Sequence, residues 1–508
     1  MHLNALDIFV IVVYLALMSL IGLYFSRQQN SRVDFFLGGR TMHWILVGGS
    51  LSLFSTISFM AVPGEMIRYG VGFFLAYLVV PLVVPVTNRI VLPVLMRLNI
   101  STPYEYLEKR FSGGISRLSA YVFILKTVLW MGVIIYTAGL AVSEVTGWSM
   151  LFIITIIGVI TTFYTSAGGL RTVIWTDFIQ TLLFTGCALI IPIFVWTSTG
   201  HGPLSWWSSF SSAGRTQIEF FSFDPTVRIT TLGNMTAIFF WFICTNASDQ
   251  MIVQRYLSTP SIKAARRSIW TFAVSTVVSI FFLMICGLSL FGFYAARSAS
   301  GAQTVQFDAA RQADRVMPQF IAQELPHGIS GLIIAGLLAA AMSGLSSGMS
   351  ATASVIVNDL ASRLTRFKVF SRGLILERMI GILVGAAGIS LAVGITFAMH
   401  RIDWNLVELS HRINHLFIGP LAVLFFSGIL LRRAMGASVL VGFLVATVAS
   451  AFISYSKQLF GFEQNISFMW VVPGSFVIGV LATGIVSQLF TPPAQPALSE
   501  VALERKTP

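Results

Sequence analysis

The chain has 508 residues, 56% of them hydrophobic and only 10% charged, with a formal net charge of +12 and a mean hydropathy of +0.82. Soluble domains carry about 25% charge, so this composition excludes a water-facing globule. Apolar runs of about 20 residues, the length a helix needs to cross a bilayer, recur along the whole sequence. The positive balance is a topology signal, and no nucleic-acid partner is expected. Cys187, Cys244 and Cys286 all fall inside apolar runs, which indicates neither a disulfide framework nor a CxxC metal motif.

Taken in order, the runs predict an all-α polytopic membrane protein of about thirteen transmembrane helices. They centre on 6–26, 43–66, 70–96, 117–143, 147–166, 173–197, 229–254, 268–294, 329–357, 374–399, 404–431, 435–456 and 467–489. The first run lacks a basic leader and a small-residue cleavage site, so it is expected to be a retained helix. Basic residues crowd onto alternate connections. Clusters such as Arg255/Lys263/Arg266/Arg267 and Arg363/Arg366/Lys368/Arg372 are expected to mark cytoplasmic loops, with the N-terminus outside and the C-terminus inside. Five spans over 43–198 and five more over 229–431 predict two repeats of opposite orientation. The N-terminal helix and its loop (1–42) precede them, and two further helices (432–489) and a proline-rich tail (490–508) follow. The connections at 199–228 and 295–328 are expected on the outer side.

The second run holds GGSLSLFSTISFMAVPG (Gly48–Gly64). Paired glycines, serines and a proline favour a broken helix whose freed carbonyls can coordinate a cation. The sixth carries Asp177 in VIWTDFIQTLLF, the seventh Asp249 in SDQMIVQR, the eleventh Glu408. A carboxylate at membrane depth is costly unless something compensates its charge. No base lies within two turns on the apolar side of Asp177, so a bound cation is one compensator. The ninth run contains AAAMSGLSSGMSATAS (Ala339–Ser354). On a helix Ser343, Ser346, Ser347, Ser350 and Ser354 form one stripe, offering neutral oxygens to a small hard cation. The same stripe equally suits close helix packing, and Gly344/Gly348 make a GxxxG. In WNLVELSHRINH (Trp404–His415), Glu408, His411 and His415 share a face at metal half-site spacing, while Arg412 is placed to pair Glu408 at i,i+4.

GGLRTVIWTDFIQ (Gly168–Gln180) resembles the signature of the sodium:solute symporter family. FFLGGR (Phe35–Arg40), TPYEYLEKRF (Thr102–Phe111) and VQRYLST (Val253–Thr259) follow the family's order. That family includes bacterial sialic acid, galactose and proline symporters and animal glucose, iodide and multivitamin symporters. The resemblance implies an inverted five-helix repeat with broken helices, the LeuT-like plan. It implies no enzyme activity and no organic cofactor, and one or two sodium ions coupled to a small solute. A first sodium would lie against Leu51, Phe54, Ala340, Ser343 and Gly344, the last where a hydroxyl residue is usual. A second would lie against Asp177, Ser343, Ser346 and Ser347. Positions matched to the solute site are Leu53, Ser55 and Ser58, with Lys126, Trp130, Asp249, Gln250 and Glu408. Sialic acid-type members place an arginine on the fourth span; its counterpart here is Trp130, with Lys126 one turn earlier. The expected activity is sodium-coupled uptake of a sugar or sugar acid by a monomer in a bacterial inner membrane. Coupled uptake of a monocarboxylate or vitamin, proton coupling and an intramembrane metal enzyme are the alternatives.

Overall fold

The computed structural model describes residues 3–51, 55–299, 309–361, 374–398, 406–462 and 465–489; the side chains of 298–299, 309–315 and 406–412 lie outside that description. Among the described residues all regular structure is helical, and ten helices are long and apolar enough to cross a membrane. In chain order the elements that build the site are α1 (Ala5–Ser26), α2 (Trp44–Ser50), α3 (Thr56–Tyr69), α4 (Val71–Arg97), α5 (Pro103–Arg110), α6 (Gly113–Thr146) and α7 (Met150–Thr199). After them come α8 (Thr231–Ser248), α9 (Gln250–Leu257), α10 (Ile262–Ala299), α11 (Ile329–Val355), α12 (Ile375–Ala398), α13 (Leu406–Leu430), α14 (Gly436–Phe460) and α15 (Val471–Leu489).

Two of the expected spans are interrupted. The second divides into α2 and α3 around residues 51–55, as its composition anticipates. The seventh divides into α8 and α9 at Asp249, whose backbone is extended (φ −93°, ψ 114°). That second break was not anticipated from the residues. Each break falls in the first helix of one five-span set, the place an inverted repeat requires.

The fifth and sixth windows, expected as separate spans, form the two halves of α7, which meet without a loop at a kink at Gly169. Gly169 adopts φ 61°, ψ −161°, a conformation open essentially to glycine alone. A Cβ there would also sit 2.6 Å from the Phe35 carbonyl oxygen. The bend therefore brings the FFLGGR segment into backbone contact with α7.

The ninth span, α11, forms the centre. Of its most apolar window 89% is buried, against 22% for α1, so α11 faces protein all round and α1 faces lipid. Its glycines account for part of this. A Cβ on Gly344 would lie 2.6 Å from Ile134 Cδ1, and one on Gly348 2.7 Å from Met131 Cγ, so the GxxxG face packs closely on α6. Its N-terminus is tied to α1 by Asp7, whose Oδ1 accepts the Gly328 and Gly331 N–H groups at 2.7 and 2.9 Å. A carboxylate there satisfies two orphan donors and complements the helix dipole.

Gly169→Ala is expected to cost about 1–3 kcal/mol through the strained backbone, read as a fall of several degrees in apparent Tm in detergent. Gly186→Ala on the same helix, where an added Cβ meets nothing within 4 Å, is expected to leave it unchanged.

Candidate ion and solute site at the broken helices

The two interruptions lie beside α11. Leu51, just past the end of α2, and Ser55, which caps α3, are both buried. Thr56 Oγ1 donates to the Leu337 carbonyl at 3.0 Å, which holds the start of α3 against α11. Ala340 and Ser343 are buried on α11, and Gly344 shares a cavity with Leu51, Ser55 and Ser58. The structure thus brings these first-sodium residues to one locality. Leu53 and Phe54 lie outside the described residues.

Asp177 lies at the centre of a closed polar cluster. Its carboxylate is fully buried on α7. Oδ1 accepts from Ser346 Oγ at 3.1 Å and Oδ2 from Ser347 Oγ at 2.7 Å. Both hydroxyls also reach the Ser343 carbonyl, at 3.0 and 2.7 Å. The four residues matched to a second sodium therefore do converge. A protein base also joins them: the Arg255 guanidinium pairs with Asp177 Oδ2, donates to Ser347 Oγ and reaches the Ser50 carbonyl.

This corrects the assignment of Arg255 to a cytoplasmic loop cluster. Its side chain is 1% exposed. The cause is the break at Asp249, because ending α8 there lets α9 start afresh and lie along α11. A continuous seventh helix would have carried Arg255 past the membrane surface. Asp249 caps the new helix by accepting the Met251 N–H at 2.9 Å.

The rest of the serine stripe answers to α9 as well. Gln254 Nε2 approaches Ser350 Oγ at 3.4 Å, and Gln250 Nε2 donates to Ser354 Oγ at 3.2 Å and to the Ser101 carbonyl at 3.0 Å. Gln250, expected at the solute, is therefore committed to this seam. It faces α11 because α9 begins at that residue. The stripe is neither pure packing surface nor pure ion site: its inner hydroxyls satisfy a short polar helix, and its middle ones serve Asp177.

A cavity lies between α3, α6, α8, α10 and α13. At its inner end are Leu51, Ser55, Ser58, Lys126, Trp130, Asp249 and Gly344; it extends to Glu65, Phe73, Ile229 and Phe468 beside the 199–228 connection. Lys126 and Asp249, matched separately to the solute site, form a buried ion pair here, Nζ to Oδ2. Asp249 does not pair Arg255. The Glu408 side chain, with His411 and Arg412, lies outside the described residues, whereas His415 lines the cavity. Among the described residues no trio of His, Cys, Asp or Glu could hold a metal. Behind Glu65 and Phe468, and not itself lining the cavity, Arg228 reaches Tyr69 Oη at 2.6 Å and Glu65 Oε1 at 3.1 Å, and stacks over the Tyr69 and Phe468 rings. Burial works to lower the Arg228 pKa, but the Glu65 carboxylate and the Tyr69 hydroxyl outweigh it and hold it above the ordinary value.

Residue reading missed Arg255, Asn234, Trp241, Thr276 and Asn414; the last four line the cavity. One signal was available for Arg255. In SDQMIVQR an acid that caps helices precedes Gln250 and Gln254 on one face with Arg255 at its edge, the mark of a new amphipathic helix.

Interrupted helices at membrane depth, polar groups gathered at the interruptions and a cavity beside them define a secondary carrier of the broken-helix, inverted-repeat type. The chain belongs to the sodium:solute symporter family, whose sequence model matches residues 35–456. It is 29% identical over 494 residues to the sodium/sialic acid symporter SiaT of Proteus mirabilis, covering 96% of each chain. It is 31% identical over 453 residues to the mouse sodium-coupled monocarboxylate transporter 1, covering 87% of this chain and 71% of that one. Its fold resembles a substrate-bound, outward-open Na+-coupled sialic acid symporter with a TM-score of 0.83 at 26% identity, covering 96% of this chain and 98% of that one. The protein is a multi-pass membrane transporter of sodium-symporter type and not an enzyme.

Removing one member of a buried ion pair strands the other. Arg255→Met is expected to destabilise by about 3–5 kcal/mol, seen as a large fall in apparent Tm. Asp177→Asn combined with Arg255→Met is expected to recover much of that loss.

Proposed function

We propose that this protein imports a small polar organic solute in symport with sodium, in the orientation that places the 199–228 connection outside. The observation that carries the reading is the convergence of Asp177, Ser343 and Ser346 beside the break in the second span. The first coupling ion takes neutral oxygens at Leu51, Ala340 and Ser343, with Phe54 completing the set. These contacts exist in full only when α2, α3 and α11 are apposed, so the ion favours the arrangement that shapes the solute cavity. A second ion takes Asp177 Oδ1 with Ser343 and Ser346, while Arg255 keeps Oδ2. Each charge moved across 100 mV supplies about 2.3 kcal/mol, roughly a fifty-fold accumulation, before any concentration gradient is added.

Ser55, Ser58, Lys126, Trp130 and Asp249 form the solute-binding end of the cavity. Sugars and sugar acids are the first class the relatives suggest for this pocket. Monocarboxylates are the second reading, favoured by the mammalian relative. A bacterial inner membrane suits both.

In proteoliposomes, uptake of the solute is expected to require an inward sodium gradient. Uptake driven by a proton gradient and indifferent to sodium overturns the coupling. Asp177→Asn is expected to lower the number of sodium ions per solute. Full retention of the wild-type sodium stoichiometry removes Asp177 from the ligand shell.

Gly344→Ser adds a hydroxyl to the first position, with Ile134→Val making room for it. That pair of changes is expected to lower the sodium concentration for half-maximal uptake, and a rise would show that glycine is there for packing alone.

A further inference from the structure

The cavity handles charge in an unusual way. Among the described residues that line it, Lys126 is the only Lys or Arg, and that cation is already paired with Asp249. Neither member reaches bulk water: the side chains are 3% and 9% exposed. Asp249 is held by a second bond, from the Met251 N–H to Oδ1, so it stays in place at the break between α8 and α9. Elsewhere along the cavity wall stand neutral polar atoms with no hydrogen-bond partner in the protein: Asn234 Nδ2, Trp241 Nε1, Thr276 Oγ1 and Asn414 Oδ1. All four residues line the cavity, and Asn234, Thr276 and Asn414 are more than nine-tenths buried. Buried polar groups left unpaired are costly, and a polar solute would satisfy them.

We propose that the Lys126–Asp249 pair makes this pocket select a zwitterion, a solute carrying both a carboxylate and an amine, such as an amino acid or an amino-sugar acid with a free amine. The proposal rests on the reading that the central cavity is the solute site and deepens it. A solute with only a carboxylate has to take Lys126 from Asp249 and strand a buried carboxylate, the costly way to open an ion pair. An uncharged solute gains nothing from either charge. A zwitterion inserts between them, its carboxylate on Lys126 and its ammonium on Asp249, so each protein charge exchanges one partner for another and the site stays neutral. Because such a solute has no net charge, it cancels none of the sodium charge that the membrane potential drives, and transport is electrogenic.

The test is a thermal-shift and binding series on the purified full-length protein, in sodium and in N-methylglucamine. The probes are L-proline, L-alanine and glycine, against propionate, lactate and galactose. Zwitterions are expected to raise the apparent Tm in sodium, and the mono-anions and galactose are not. Asp249→Asn keeps the helix cap, since asparagine caps as well as aspartate. It is expected to weaken zwitterion binding by about tenfold or more and to admit propionate and lactate. Lys126→Gln is expected to weaken zwitterions similarly without admitting anions. The double variant Lys126→Gln/Asp249→Asn, which strands no charge, is expected to lose the preference altogether. The proposal is overturned if mono-anions or galactose bind the wild type as tightly as zwitterions. It is overturned equally if no zwitterion binds, or if both single variants leave zwitterion affinity unchanged. Failure of the sodium reading has a different signature: shifts that are the same in sodium and in N-methylglucamine, whichever probe causes them.

Discussion

The ion pair between Asp177 and Arg255 is the contact on which the centre of this molecule depends. Four separate segments meet there: the end of α2 through the Ser50 carbonyl, α7 through Asp177, α9 through Arg255 and α11 through Ser346 and Ser347. Opposite charges this deeply buried attract strongly, and each would be expensive to leave alone. Partial opening is therefore disfavoured, and the helices that share the pair are held as a set. An ion placed at Asp177 Oδ1 would bear on all four segments at once. In the function proposed above, that is how a small ion would be coupled to a rearrangement of whole helices.

The breaks in the second and seventh spans follow from the same economy of polar groups. In a bilayer every exposed N–H and C=O must find a partner inside the protein or in a water-lined space. Interrupting a helix frees such groups, so the interruptions are tolerated beside the cavity and against the serine-rich face of α11. At the seventh span the freed backbone is served by Asp249, which caps α9 while facing Lys126. One residue thus ends one helix with its backbone N–H, starts another with its side chain and pairs the cavity's lysine. The short α9 then turns a run of glutamines and an arginine onto serines that would otherwise lie unsatisfied in the core. Glycines on the neighbouring face of α11 do the opposite work, letting α6 approach to van der Waals contact.

Much of this was readable in the amino-acid order, and for identifiable reasons. Apolar run length set the membrane class, because hydrocarbon thickness leaves helices little choice of length. The glycine–serine–proline composition of 48–64 announced the first break, and the scarcity of carboxylates picked out Asp177 and Asp249. Helical periodicity put Ser343, Ser346 and Ser347 on one face. That the fifth and sixth spans meet at a kink at Gly169 with no loop between them was not legible, since a glycine pair before a basic residue reads equally well as a loop. The place of Gln250 at the start of α9 was not legible, because a residue just inside an unrecognised helix start was read as part of the preceding helix.

Taken alone, the order of residues determined which groups must be hidden from lipid and which stripes they occupy, since both depend on hydropathy and on the geometry of a single helix. It could not say which stripe meets which. Arg255 lies 78 residues from Asp177, and Lys126 lies 123 residues from Asp249. Those pairings depend on where two helices stop, on how α9 lies across α11, and on the cost of leaving any of four charges without a counterpart. Only the packed structure decides them, because a buried charge is compensated by whatever the fold brings within a few ångströms, at any distance along the chain.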